Sequence, residues 1–171
     1  FTMKLSDGVE AAIHCASSLA GLEPDETISA ADLAHVYGLS STYLVKHLMK
    51  MVSVGILQSI PGPKGGYRLA RDAKDVTLKD IVFAVDGQSP AFRCKEIRRA
   101  GPKPLPSDAY PQICGINRAM LKAEKAYHEA LAQTSLHDLV VEHEATSDDR
   151  VLARGCQLRD AMVRKQNTNR P

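Results

Sequence analysis

Four cysteines and six histidines carry most of this chain's capacity to bind a metal or change redox state. Cys94 and Cys114 stand 20 residues apart at the two ends of a proline-rich, charged stretch. Such a pair can close a reversible disulfide, act as a thiol sensor, or ligate a metal. A zinc site built from the two with a histidine lacks the close C-x-x-C pairing usual in structural zinc sites. Glu10 and His14 are four apart, so on a helix they share one face, one turn from each other. Taken singly, each reads as an ordinary exposed helix residue. Cys15 adjoins His14 but points about 100° away on a helix and reads as a core thiol. Cys156 lies in a polar tail, and His128, His137 and His143 show no paired ligand spacing.

A second chemistry is written between Gly38 and Leu69. Ser40-Ser41 is an N-cap signal, and Leu44, Leu48, Met51 and Val52 recur at helical spacing. Gly55 is a C-cap candidate. A short strand, Ile56 to Ile60, then meets Pro61-Gly62-Pro63-Lys64-Gly65-Gly66, which must turn, and Tyr67-Arg68-Leu69 returns. A helix followed by a hairpin with a basic, glycine-rich tip is a winged helix. Its helix lies in the DNA major groove and its tip against the backbone or minor groove. Ser40, Ser41, Thr42, Tyr43, Lys46, His47 and Lys50 are the expected DNA-facing residues of the helix. Lys64, Gly65, Gly66, Tyr67 and Arg68 are those of the wing, with Lys64 and Arg68 expected on phosphates.

The whole chain bounds these readings. Its 171 residues suffice for one domain with an appendage, and a 44% apolar share supports a core. A net charge of only +2 means that DNA affinity must come from locally placed Lys and Arg, doubled in a dimer. No apolar run approaches the roughly 20 residues of a membrane span, and no signal-like apolar region opens the chain, so the cytoplasm is the expected compartment. There four cysteines are expected free, redox-active or metal-bound rather than in structural disulfides. No phosphate loop, nucleophile elbow or metal-hydrolase motif is present, so no enzyme is expected.

The elements that position these groups follow from periodicity. Residues 6–21 form a first helix with a stripe of Val9, Ile13, Ala16, Leu19 and Ala20. Thr27 or Ser29 caps a second, with Asp32 placed as in a capping box and Gly38 as its stop. Thr77 caps a fourth helix that Gly87 ends. Residues 89–113 read as a long loop with one helical turn near Cys94 to Arg99. Ile116 to Leu131 is helical again, with an apolar face suited to pairing with a second copy. Thr134-Ser135 starts another helix. Residues 151–163 fit an amphipathic helix, and 166–171 are expected to be disordered. The expected fold is therefore mainly α: a winged helix-turn-helix with a two-stranded β wing, a cysteine-bearing loop and a long dimerisation helix. Its divisions are 3–87 for DNA binding, 88–115 for the sensor loop, 116–142 for the dimerisation helix and its successor, and 143–171 for a variable tail.

This order resembles the IscR/NsrR-type family of bacterial winged-helix regulators. The resemblance rests on Met3-Lys4-Leu5-Ser6, Ala31-Asp32-Leu33-Ala34 through Leu48, Gly62 through Ala70, and Leu136-His137-Asp138-Leu139. It implies a homodimer that binds palindromic double-stranded DNA and no membrane. Relatives usually carry a basic residue before the first wing glycine, where this chain has Pro61. Members that hold an iron–sulfur cluster commonly place three cysteines before the long helix. Here there are two, and two thiolates do not complete a four-ligand [2Fe–2S] site. The pattern is similar to the RsrR-type branch, which implies a [2Fe–2S] cluster held by Cys94 and Cys114 of one subunit and by Glu10 and His14 of the other. The function so implied is a transcriptional regulator whose operator binding follows the state of that cluster. A cluster-free thiol sensor, or a winged-helix protein-interaction module without a gene-regulatory role, are the alternatives. Loss of the oxidant response in a Cys114 variant but not in His14→Ala would select the thiol sensor.

Overall fold

The computed structural model of the protein describes residues 5–166. Met3 and Lys4, and residues 167–171 of the expected disordered tail, lie outside the described residues. Helix α1, Asp7–Ala20, buries Val9, Ala12, Cys15, Ala16 and Leu19. Its alanines let neighbouring backbones approach closely. A two-residue strand β1, Glu26–Thr27, precedes α2, Ala30–Tyr37. Of the two cap candidates Ser29 is the cap: its hydroxyl accepts from the Asp32 amide, and Gly38 ends the helix at φ 63°. That left-handed turn suits a residue without Cβ.

Helix α3, Ser41–Ser53, is capped by Ser40, whose hydroxyl accepts from the Tyr43 amide. It ends at Val54 rather than at the expected Gly55; Gly55, at φ 74°, instead makes the turn into the hairpin. Strands β2, Leu57–Ile60, and β3, Gly66–Leu69, pair antiparallel with Leu57 opposite Leu69 and Ile60 opposite Gly66. Tyr67 also bridges to Ile28, which draws β3 against the start of α2. Helix α4, Leu78–Asp86, starts on a full Thr77–Asp80 capping box.

The long loop has the expected turn, at Ile97–Arg99, and a second, unexpected one at Ser107–Ala109. Helix α5, Gly115–Ala132, has no buried residue. Helix α6, Leu136–Thr146, starts on a second capping box, Ser135–Asp138, and returns to the core through fully buried Leu136. Helix α7, Asp149–Met162, leads to β4, Arg164–Lys165, which pairs antiparallel with β1. The second small sheet was not expected.

The architecture is mainly α, with α1, α3 and α4 packed around Leu19, Leu44, Leu48, Met51, Ile81 and Leu136. Against that core α5 projects, leaving Ile116, Met120 and Leu121 exposed. No helix among the described residues is long and apolar enough to cross a membrane.

Candidate functional site

The loop brings its two cysteines together from opposite ends. Cys114 is the residue before α5, so its thiol faces the first free amides of that helix. Cys94 is placed by the turn that follows it, where the Glu96 amide donates to Cys94 Sγ at 3.4 Å. The two sulfurs and a Glu96 carboxylate oxygen all lie within 4.8 Å of one another. Glu96 is not among the expected site residues; its φ of 51°, rare for a residue with a Cβ, marks it. Its carboxylate is held by Arg98 at 2.9 Å and Arg99 at 3.1 Å, and both guanidinium groups lie over the Tyr110 ring. Arg98 further donates to the Gln112 carbonyl at 2.7 Å, which ties the two halves of the loop.

The two thiols differ electrostatically. Amide N–H groups of Asn117 and Ile116 draw the Cys114 thiol below its ordinary value, as expected at a helix N-terminus. The Glu96 amide pulls Cys94 down as well, but desolvation and the adjacent Cys114 and Glu96 outweigh it and leave Cys94 raised. Hydrogen bonding to Arg98 holds the Glu96 carboxyl below its usual range. Cys114 is therefore the first thiolate of the pair.

Glu10 and His14 are not beside these cysteines in the same chain; the one cluster of three such donors among the described residues is Cys94, Glu96 and Cys114. Both stand exposed on α1, along a shallow concavity lined by Leu5, Ser6, Asp7, Val9, Glu10, Ile13 and His14. The His14 ring packs against Tyr37 of α2, with centroids 5.2 Å apart, and Tyr37 donates to the His14 carbonyl at 3.3 Å. Tyr37 was not anticipated. Cys15 is buried as expected, and burial pushes its thiol up to about 12.

The winged-helix residues separate into two groups. Ser40, Ser41, Thr42, Tyr43, Lys46 and Lys64 are exposed. His47, expected on the DNA-facing side, is instead buried at 6% exposure beneath the start of α1, against Gly8, with neither ring nitrogen hydrogen-bonded. Its position three residues after Leu44 and four before Met51 places it on the core stripe. Lys50 is also drawn away, donating to the Val85 carbonyl at 2.6 Å at the end of α4. In the wing, Gly65, Gly66 and Tyr67 are buried. A Cβ on Gly66 would stand 2.5 Å from the Ile28 carbonyl oxygen, so these residues shape the hairpin by close approach rather than presenting side chains. Arg68 donates to Gln58 at 3.0 Å and to the Pro24 carbonyl.

A winged helix-turn-helix followed by a projecting helix with exposed Ile116, Met120 and Leu121 defines a class of DNA-binding regulator. Comparison with protein families matches residues 5–142 to Rrf2, described as an iron-dependent transcriptional regulator. The chain belongs to the Rrf2 family, whose members are transcriptional regulators rather than enzymes. It is 33% identical over 109 residues to protein aau3 of Rhizobium meliloti, covering 64% of this chain and 67% of that one. It is 25% identical over 138 residues to the regulator NsrR of Bacillus subtilis, covering 81% and 90%. Over 65 residues it is 35% identical to the regulator IscR of Photorhabdus laumondii, covering 38% and 40%. Several of the curated relatives are thus matched over only half to two thirds of their length. Among solved structures, oxidised CymR of Staphylococcus aureus is similar at TM-score 0.59 and 25% identity, covering 81% of this chain and 96% of that one. T. potens IscR shares the fold at TM-score 0.63 and 20% identity, covering 88% and 96%.

Proposed function

We propose that this chain acts as a homodimeric, DNA-binding transcriptional regulator whose operator affinity is set by a [2Fe–2S] cluster at the dimer interface. One observation carries the reading. Cys94 and Cys114 converge on one side of the chain, while Glu10 and His14 lie adjacent on an exposed face elsewhere. On this reading each pair is half of a four-donor set, completed where the cysteine loop of a second copy meets the first copy's α1. The donor chemistry suits the group: two thiolates and an imidazole are established ligand types for such clusters, and a carboxylate adds a fourth donor. When bound, the cluster supplies one-electron redox chemistry.

The chain's own residues would carry the signal onward. The helix that bears Glu10 and His14 also bears Gly8, whose backbone lies on the His47 ring of α3. A shift of α1 driven from its exposed face would therefore press on the recognition helix. Ser6 ties the same end of α1 to Asp86 through its amide at 3.0 Å, which links α4 to the movement. Two recognition helices must sit roughly 34 Å apart to enter successive major grooves, so a small change in their setting alters affinity. In this scheme Ser41, Thr42, Tyr43 and Lys46 meet base edges and phosphates, and Lys64 meets phosphate across the wing.

A second reading has its own support. The proximity of Cys94 and Cys114, and the likeness to an oxidised CymR, suit a cluster-free thiol sensor in which a two-electron oxidant such as a peroxide or a disulfide takes up the two electrons and two protons as the Cys94–Cys114 bond forms. Visible absorption with iron and acid-labile sulfide analysis of anaerobically purified protein separates the two. About two irons and two sulfides per subunit, lost or altered in both His14→Ala and Cys94→Ala, is the result expected. A wild type that stays colourless after reconstitution refutes the cluster, and an oxidant response that survives His14→Ala assigns the function to the thiols.

A further inference from the structure

Residues beyond the family match return to the DNA-binding unit and hold its wing. Three consecutive carbonyls of the wing tip are taken by donors from this segment or its strand partner. Arg164 reaches the Pro63 and Gly65 carbonyls, each at 3.4 Å. Gln166 donates to the Lys64 carbonyl at 2.5 Å, which Thr27 also contacts at 3.2 Å. The same Arg164 guanidinium pairs with Asp32 at the start of α2 at 3.1 Å. One planar fork therefore spans the wing loop and the helix-turn-helix, a geometry that an ammonium group does not reproduce.

The segment is docked in register rather than draped. Glu26 faces Lys165 and Thr27 faces Arg164 across β1 and β4, the Gln166 amide donates to Asp25 at 2.9 Å, and Met162 and Val163 pack on the core. Buried Glu26, 6% exposed, takes Arg159 at 3.4 Å and Lys165 at 3.8 Å. The charges of Arg159 and Lys165 are thus met by Glu26 of β1, and that of Arg164 by Asp32 of α2. Of the three, Arg164 is the one that also bonds the wing carbonyls, which places it to fix geometry.

We infer that residues 159–166 form a clamp that sets the wing in its DNA-binding position, with Arg164 as the positioning residue that presents Lys64. The inference rests on the DNA-binding reading, and it assigns the appended segment a part in that binding. In a labelled random-sequence duplex titrated by anisotropy over a salt series, Arg164→Ala and Arg164→Lys should weaken binding alike. The loss expected is roughly tenfold, the scale of one charge-assisted hydrogen bond. Lys64→Ala should cost little further in either background, and the salt slope should fall in all three variants. Wild-type affinity in Arg164→Lys would make Arg164 a simple charge contact and overturn the inference. Unchanged or tightened binding in Arg164→Ala would overturn it as well. Hydrogen exchange of the free protein tests the clamp without DNA. Amides of residues 60–69 should exchange faster in both Arg164 variants and in Gln166→Ala, with α1 and α3 unchanged. Equal wing exchange refutes the clamp; a wild type that binds no duplex refutes the DNA-binding reading, and the exchange result stands apart from it.

Discussion

The contact between Gly8 and His47 can be broken by a single methyl group. A Cβ at Gly8 would stand 2.7 Å from both Nδ1 and Nε2 of His47, and closer still to Cε1. Comfortable heavy-atom separations are about 3.5–4.0 Å, so the ring or the helix must move by roughly 1 Å. The ring has little room, because Tyr43 packs edge-on against it with centroids 4.7 Å apart. Overpacking of this kind costs about 1–3 kcal/mol, offset by at most about 1 kcal/mol from replacing glycine in a helix. Gly8→Ala should therefore destabilise the protein by about 1–2 kcal/mol in urea unfolding. In a His47→Ala background the same change should be neutral or stabilising, because the ring it strikes is gone. The double-mutant cycle should then return a coupling of about 1–3 kcal/mol. Additivity within about 0.3 kcal/mol would refute the claim that α1 and α3 bear on each other through this pair.

Three further outcomes are expected. Burial, with Lys50 and Lys46 nearby, lowers the His47 pKa from 6.5 despite the opposing pull of Asp86, so the folded state binds fewer protons than the unfolded one. Stability from neutral His47 is present above pH 6.5 and is lost as pH falls through the lowered folded value; urea midpoints against pH should show this acid limb flattened in His47→Ala. In cluster-free protein at neutral pH, iodoacetamide should label Cys114 before Cys94 and Cys15 last, as read by peptide mass spectrometry; Cys94 reacting first would reverse the electrostatic assignment. On the proposed dimer, Met120→Glu should shift the protein toward monomer in light scattering and remove any concentration dependence of the thermal midpoint, since a single chain buries no residue of α5; an unchanged mass would place the interface elsewhere.

The helical framework was legible because its signals are local. The stripe in α1, the caps at Ser29, Ser40, Thr77 and Ser135, and the glycine turn of the wing each lie within a few residues of what they specify. Sorting the faces of α3 was harder. Periodicity gives the angle of a side chain about its own axis, but burial depends on what packs there. His47 is covered by α1 and Lys50 is captured by the end of α4, and neither neighbour is adjacent in sequence. The Glu10–His14 pair at helical spacing and the Cys94–Cys114 pair at the ends of the loop were visible as residue types, whereas Glu96 joins the cysteines through a left-handed backbone turn that its residue type does not announce. Strand β4 left no trace, because two residues, Arg164 and Lys165, carry no period and take their conformation wholly from β1.

That last pairing also sets a schedule. Register partners Glu26 and Lys165 are 139 residues apart, so their strand pair forms only after the helix-turn-helix and everything up to Lys165 has been made. At about 5–20 residues per second of synthesis, roughly 7–28 s separate the two partners on the ribosome. The helix-turn-helix can fold during that interval, but its wing is still without the Arg164 and Gln166 donors. A nascent chain therefore has its recognition helix before the Arg164 and Gln166 contacts to the wing can form.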